Sequence, residues 1–261
     1  METEKTEPSS TDEGSSRIEG RNAVIEAFRS GRTIDRLYIL SDTHDGAIMT
    51  IKREAAKHGT QIRYVDRARL DAMSETGSHQ GVIADAAVYA YAEMEDLFSL
   101  AEKKGEDPFF LLLDNIEDPH NLGAIIRTAN TVGAHGVIIP KDRAVGLTAV
   151  VAKASAGALN YTPVVKVTNM AVTIEQLKKR GMWFVCADMD GTPMTKLSLT
   201  GPLGLVIGAE GSGVSRLVKE KCDMTASIPM RGEIDSLNAS VAAGVLAYEV
   251  LRQRLEKAGL S

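Results

Sequence analysis

Apolar and polar positions along the chain follow two alternating patterns. FFLLLD (109–114), GVIIP (136–140), VVKV (164–167), WFVCA (183–187) and LGLVIG (203–208) are short, unbroken apolar runs. Such runs mark strands buried on both faces. Between them apolar residues recur at helical spacing. Leu122, Ile125, Ile126 and Ala129 share one face of a helix predicted over 122–132, with Gly133 as its stop. Further helices are predicted over about 147–156, before Gly181, over 214–222 and over 238–257; ASIPM (226–230) reads as the last strand. The alternation predicts an α/β fold with a mostly parallel sheet covered on both faces. Ligands on such sheets sit at the carboxyl ends of the strands. The final helix is apolar on two sides, with Val241, Val245 and Tyr248 on one and Ala243, Ala247 and Val250 on the other. In a terminal helix that pattern predicts an oligomer interface.

Upstream the elements are shorter. The pattern predicts a helix over 22–28, strands at RLYIL (36–40), QIRYV (61–65) and GVIADAAVY (81–89), and a helix that Gly59 stops. Together they form a small α/β unit over 17–91. Residues 92–107 are charged and read as a linker carrying a short helix. Residues 1–16 are Ser, Thr, Glu and Pro without periodicity and read as a disordered acidic tail. They lack the apolar core of a signal peptide.

Composition narrows the class. The 261 residues suit one large domain or two modest ones, and 44% hydrophobic residues supply a sizeable core. No run approaches the roughly 18 apolar residues of a membrane span. Two cysteines, Cys186 and Cys222, give neither a disulfide framework nor a cysteine zinc site, and the histidines show no ligand pairing, so no metal is expected. A soluble, cytoplasmic protein is the expectation. Residues 1–16 carry a net −4 of the formal charge of −5, which leaves the remainder at −1. A nearly balanced chain can still hold a basic face, so the charge does not exclude RNA.

Three segments at predicted strand ends carry the polar residues. In DNIEDPHNLGAIIRTAN (114–130), Asp118-Pro119 opens a helix, Asn121 lies at its start and Arg127 leaves the face opposite the apolar stripe. A capped helix with one solvated arginine has the same pattern. In VIGAEGSGVSRL (206–217), Gly208, Gly211 and Gly213 separate a strand from a helix around Glu210. Such a loop lets backbone approach a ligand, or is simply a permissive turn. The glycine spacing is not that of a dinucleotide or phosphate loop, which disfavours a nucleotide-cofactor oxidoreductase. In IPMRGEIDSLNASVAAGVLAYE (228–249), Ser236 and Asn238 flank the start of the final helix, where either is a suitable cap.

Taken in this order, the three segments resemble the signature motifs of the SpoU branch of the SPOUT RNA methyltransferases. NLGAIIRTA, VIGAEGSGV and IPMRGEIDSLNASVAAGVLAYE match the first, second and third motif. PKDRA (140–144) and VTNMA (167–171) look like the bacterial subgroup that methylates a guanosine 2′-hydroxyl in 23S rRNA. IEGRNAVIEAF (18–28) and HQGVIA (79–84) are similar to that subgroup's substrate-binding domain. The resemblance covers nearly everything beyond residue 16. It implies an L30e-like RNA-binding domain at 17–91 and a trefoil-knot methyltransferase domain at 108–261, dimeric through that domain and the final helix. It implies S-adenosylmethionine held by Gly208, Ile228 and Leu237, and a catalytic set of Asn121, Arg127, Glu210, Ser236 and Asn238. Arg127 matches the arginine that activates the ribose hydroxyl. A guanidinium keeps its proton at neutral pH, which favours electrostatic activation over general base catalysis. Asn121 would orient Arg127 or the ribose, and Glu210 would hold Arg127 or Asn121. Arg21, Arg32, Arg36, Arg63, Arg67 and Arg69 are candidates for RNA backbone contacts. Arg231, Glu233 and Asp235 depart from the family pattern by crowding the third motif with charge. The competing readings are a sister enzyme acting on tRNA or on an rRNA adenosine, and a non-catalytic ribosome-assembly factor.

Overall fold

The computed structural model describes residues 17–43, 45–234 and 236–260. The tail at 1–16, His44 and Asp235 lie outside the described residues. The chain divides into two compact units between Ala86 and Ala87.

The first unit is a four-stranded sheet. Strands β1 (Arg17–Glu19), β2 (Ile34–Leu40), β3 (Gln61–Val65) and β4 (Val82–Ala86) lie in the order β1-β4-β2-β3. β2 and β3 are parallel; the β1–β4 and β2–β4 pairs are antiparallel. Helices α1 (Arg21–Arg29) and α2 (Gly46–His58) bury Val24, Phe28, Ile48 and Ile51 against Leu37, Ile39 and Val82. Helix α3 (Arg67–Met73) packs Leu70 against Tyr38 and Ile83. At three and seven residues, β1 and α3 are too short to show a period, so sequence reading missed both. Gly59 ends α2 in the left-handed conformation, as predicted.

The two segments that resembled a substrate-binding domain interlock. The Gly20 amide donates to the Val82 carbonyl at 3.2 Å. The Arg21 amide donates to Gln80 Oε1 at 3.3 Å, and Arg21 Nε to the Gln80 carbonyl at 3.0 Å. The Glu19 carboxylate gathers the 74–76 turn, accepting from Ser74 Oγ at 2.6 Å, the Glu75 amide at 2.5 Å and the Thr76 hydroxyl. Burial works to raise the Glu19 pKa, but the hydroxyl and amide donors outweigh it and hold it at about 2. An unfolded glutamate titrates near about 4.3, so the stabilisation is full above that value and is lost as pH falls toward 2. A melting temperature followed between pH 5 and 2 is therefore expected to fall less steeply in Glu19→Gln than in wild type. Parallel profiles would contradict the role given to Glu19.

The second unit holds a six-stranded parallel sheet. In chain order its elements are α4 (Met94–Lys104), β5 (Phe109–Asp114), α5 (Pro119–Thr131), β6 (Gly136–Pro140), α6 (Ala149–Ala154), β7 (Val164–Val167) and α7 (Met170–Lys178). β8 (Trp183–Pro193), β9 (Leu203–Gly208), α8 (Arg216–Lys219), β10 (Met224–Ser227) and α9 (Ala239–Lys257) follow. The strand order is β10-β8-β9-β5-β6-β7. Phe109, Leu111 and Leu113 of β5 pack with α5 and α9 on one face; Phe110 and Leu112 pack with α4 and α7 on the other. Double coverage explains why the strands read as unbroken apolar runs.

Several elements differ from the sequence reading, among them β8, which runs on to Pro193 beyond the predicted WFVCA. Residues 92–107, expected to be a linker carrying a short helix, do carry that helix as α4, but it buries Leu97 and Ala101 in the second unit instead of serving as a linker. Eight charges among these sixteen residues made the helix read as solvated. β10 ends at Ser227 rather than Met230. Pro229 has no amide hydrogen to continue a ladder. α8 is four residues rather than nine, because Gly211 and Gly213 take positive φ and Val214 remains outside the helix.

Candidate active site

β9, β5 and β6 are neighbours in the sheet, so the loops after them converge at one edge. The β9 loop is anchored from β5. Asp114, the buried last residue of β5, accepts a hydrogen bond from the Ser215 amide at 2.7 Å. Sequence reading passed over Asp114, although a carboxylate ending an apolar strand was a usable signal.

Glu210 is the hub of the loop. Its Oε1 accepts from Asn121 Nδ2 at 2.9 Å, from the Asn238 side-chain amide, and from the Ala239 amide at 3.3 Å. Asn238 Nδ2 also donates to Asn121 Oδ1 at 3.0 Å. The cluster closes because Asn238 is the cap of α9. Its Oδ1 accepts from the Ser240 and Val241 amides at 3.0 and 3.3 Å, which leaves only its Nδ2 to face Glu210. One residue from each of the three predicted segments thus meets in a single network. Asn238 is both the cap that spacing suggested and a member of the site.

Beside this network lies a cavity of about 870 Å³. Its wall contains Gly208, Ile228 and Leu237, the three positions assigned to the cofactor, together with Ser236 and Glu210. Gly208 is required by the tight turn of its own loop, in which the Gly213 amide donates back to the Ala209 carbonyl at 2.9 Å. A Cβ there would lie well inside contact distance of the Gly213 and Val214 backbone. The far end carries Asp188, which pairs with Lys219 at 2.5 Å. The hydrogen bond from Lys219 holds the Asp188 carboxyl below the usual range.

Arg127 is the exception. It lies on the exposed side of α5, lines neither this cavity nor the smaller one beside it, and makes no hydrogen bond or ion pair among the described residues. Six residues of helix place it roughly 9 Å along the axis from Asn121 and about 120° round it. Of the two options for Glu210, the structure shows the bond to Asn121 and none to Arg127. Arg231, Glu233 and Ile234 are exposed on the approach to Ser236.

Comparison with known proteins places this geometry in a family. Residues 108–248 match the SpoU rRNA methylase family, and residues 17–92 match the RNA 2′-O ribose methyltransferase substrate-binding family. The chain belongs to the SpoU/TrmH family of S-adenosylmethionine-dependent RNA 2′-O-methyltransferases. It is 53% identical over 236 residues to YacO of Bacillus subtilis, covering 90% of this chain and 94% of that one. A Staphylococcus saprophyticus relative is 48% identical, with 91% and 95% covered. Both are named for the TrmH family of tRNA/rRNA methyltransferases. Among solved structures, the SpoU methyltransferase AviRb of Streptomyces viridochromogenes in complex with its cofactor AdoMet superposes with a TM-score of 0.58. It shares 26% identity, with 92% of this chain and 90% of that one covered. The TrmH/SpoU tRNA-modifying enzyme of A. aeolicus has a TM-score of 0.54 and 29% identity over 64% of this chain and 85% of its own. The N-terminal unit is accordingly a substrate-binding domain and the C-terminal unit a SpoU methylase domain.

The cofactor matches the cavity. The volume lies within the range of about 300–1,000 Å³ usual for sites of this size. Its walls combine loop backbone at 208–213 with the apolar side chains of Ile228, Leu237 and Leu246, which suits a ligand that is part aromatic ring and part zwitterion. Among the described residues no group of three or more His, Cys, Asp or Glu side chains is placed to hold a metal ion. No described helix is long and apolar enough to cross a membrane.

Glu210→Ala removes the common acceptor of Asn121 and Asn238 and is expected to lower turnover by about 100-fold through lost positioning. Glu210→Gln keeps an oxygen in the same place and is expected to retain more. Equal losses in steady-state turnover would contradict a positioning role.

Proposed function

We propose that the protein transfers a methyl group from S-adenosylmethionine to the ribose 2′-hydroxyl of a guanosine in the peptidyl-transferase P-site loop of 23S rRNA, acting as a cytoplasmic homodimer. The observation that carries the reading is the Asn121–Glu210–Asn238 network, which meets the wall of the 870 Å³ cavity at Glu210. A non-catalytic assembly factor would have no use for three intact motifs joined in that way.

When bound, S-adenosylmethionine supplies an electrophilic methyl on a positively charged sulfur. The chain's own task is to place the acceptor oxygen and stabilise its developing negative charge. Gly208, Ile228 and Leu237 hold the cofactor, and Ser236 positions cofactor and nucleotide. Glu210 holds the Asn121 and Asn238 amides against the acceptor ribose. Arg127, still protonated, bridges the 2′-oxygen and a neighbouring phosphate, and the hydroxyl proton passes to solvent.

In this reading a second copy supplies Arg127. Val241, Tyr248 and Leu255 of α9 are 49%, 52% and 37% exposed at intervals of seven residues, an apolar stripe two turns apart along one side. Burying that stripe in a dimer accounts for its exposure and carries the arginine of each copy toward its partner.

Arg32, Arg63, Arg67 and Arg69 are exposed in the N-terminal unit. Arg63 lies opposite Tyr38 in the sheet, on the face that also carries Arg36. These residues are assigned to the RNA backbone. Arg21 pairs with Asp45 at 2.8 Å and is assigned to holding the 79–81 turn instead.

Unmodified 23S rRNA and unmodified tRNA, each incubated with the protein and labelled cofactor, distinguish the targets. A single 2′-O-methyl-dependent primer-extension stop at a P-site-loop guanosine is the expected result. Label in tRNA alone would overturn the rRNA target and leave the chemistry.

A further inference from the structure

A second cavity of about 420 Å³ adjoins the first and shares Ala209, Glu210 and Ser212 with it. It opens between the loops that follow β5, β6 and β9. Two of its lining residues, Asn115 and Arg143, have positive φ angles of 62° and 55°. Such backbone is uncommon outside glycine and collects at functional sites. The two loops are tied together, the Val145 amide donating to the Ile116 carbonyl at 3.0 Å.

Asp118 and Glu210 of this cavity accept hydrogen bonds, but two of its charges are unspent. Glu117 and Arg143 both line it, yet neither makes a hydrogen bond or ion pair among the described residues. Surface residues of opposite sign ordinarily pair where they meet; here a carboxylate and a guanidinium face one space and do not.

We infer that this cavity takes the guanosine nucleotide to be methylated, with Glu117 reading the base and Arg143 holding its phosphate. The inference rests on the proposed 2′-O-methylation and extends it to base choice. The chemistry separates the bases. A carboxylate accepts two parallel hydrogen bonds only from adjacent donors, and guanine alone offers them on its Watson–Crick edge, N1–H beside the N2 amine. Adenine, cytosine and uracil each offer one donor there. An unstacked nucleotide is read at that edge. A guanidinium is the suited partner for phosphate. The shared wall at Glu210 would then set the ribose between the base pocket and the cofactor.

Inosine tests the assignment, because it lacks only the N2 amine. Wild-type protein is expected to bind guanosine 5′-monophosphate more tightly than inosine 5′-monophosphate in calorimetric titrations with cofactor present. Glu117→Gln is expected to bind both alike. On RNA, placing inosine at the target position is expected to lower kcat/KM by about 10- to 100-fold in wild type, the value of one hydrogen bond to a charged group, and to have no further effect in Glu117→Gln. Arg143→Ala is expected to raise KM for RNA and flatten its salt dependence while cofactor affinity stays unchanged. Equal binding of the two monophosphates by wild type, or an unchanged guanosine-to-inosine ratio in Glu117→Gln, overturns the base assignment. An unchanged KM and salt slope overturns the role of Arg143. The RNA used is whichever the wild type methylates. A guanosine in tRNA would overturn the rRNA target while supporting this pocket, whereas an acceptor other than guanosine would overturn the pocket itself.

Discussion

Gly208→Ala is expected to abolish S-adenosylmethionine binding. The substituted methyl would occupy the path of the Gly213–Val214 backbone, and no flexible side chain is there to move aside. The displaced segment is the loop that carries Glu210 and forms the wall of both cavities. Cofactor affinity measured by calorimetry should fall below detection, and methyl transfer should disappear with it. Ala at Gly211, where a Cβ meets nothing within 4 Å, provides the control. Its cost is confined to the backbone strain of a positive φ, about 1 kcal/mol. Similar losses at both positions would contradict the close backbone approach as the cause.

Arg127→Ala is expected to eliminate detectable methyl transfer while cofactor affinity remains at the wild-type value. Arg127 lines neither cavity, so its loss leaves the cofactor's surroundings intact. Removing one preorganised charge or donor from a developing oxyanion costs about 100- to 1,000-fold in turnover, and a full cation bridging two oxygens sits at the upper end. The proposed homodimer makes a sharper form of the prediction. Co-purified heterodimers of one Arg127→Ala subunit and one Asn238→Ala subunit contain one site with an intact network and an intact partner arginine. They are expected to recover up to about half the wild-type rate, although each homodimer is inactive. Heterodimers as inactive as their parents would show that Arg127 serves its own subunit.

The parallel sheet was legible because its strands are buried on both sides, and FFLLLD, GVIIP, VVKV and LGLVIG coincide with observed strands to the residue. The site was legible as three separate motifs. Their meeting was implied only by the family resemblance and not by spacing, because the Asn121–Glu210 bond spans 89 residues and the Asn121–Asn238 bond 117. Spacing within a segment cannot report a contact of that range. It also gave Asn238 two readings, cap or site, which the structure combines in the two ends of one amide. A trefoil knot lies outside the reach of periodicity altogether and was implied only by the family resemblance. Glu117, and Arg143 within the quoted PKDRA stretch, were given no individual role for a different reason. Each lies in a loop where a charged residue is ordinary, and only the shared cavity with no ion pair across it sets them apart.

The central claim concerns one atom, the ribose 2′-oxygen of a guanosine. Its most direct test is to digest RNA methylated by the wild-type protein to nucleosides and identify the labelled one by mass spectrometry. The account predicts that the label is found in 2′-O-methylguanosine alone. Label in a base-methylated nucleoside, or in the 2′-O-methyl form of another base, would contradict it.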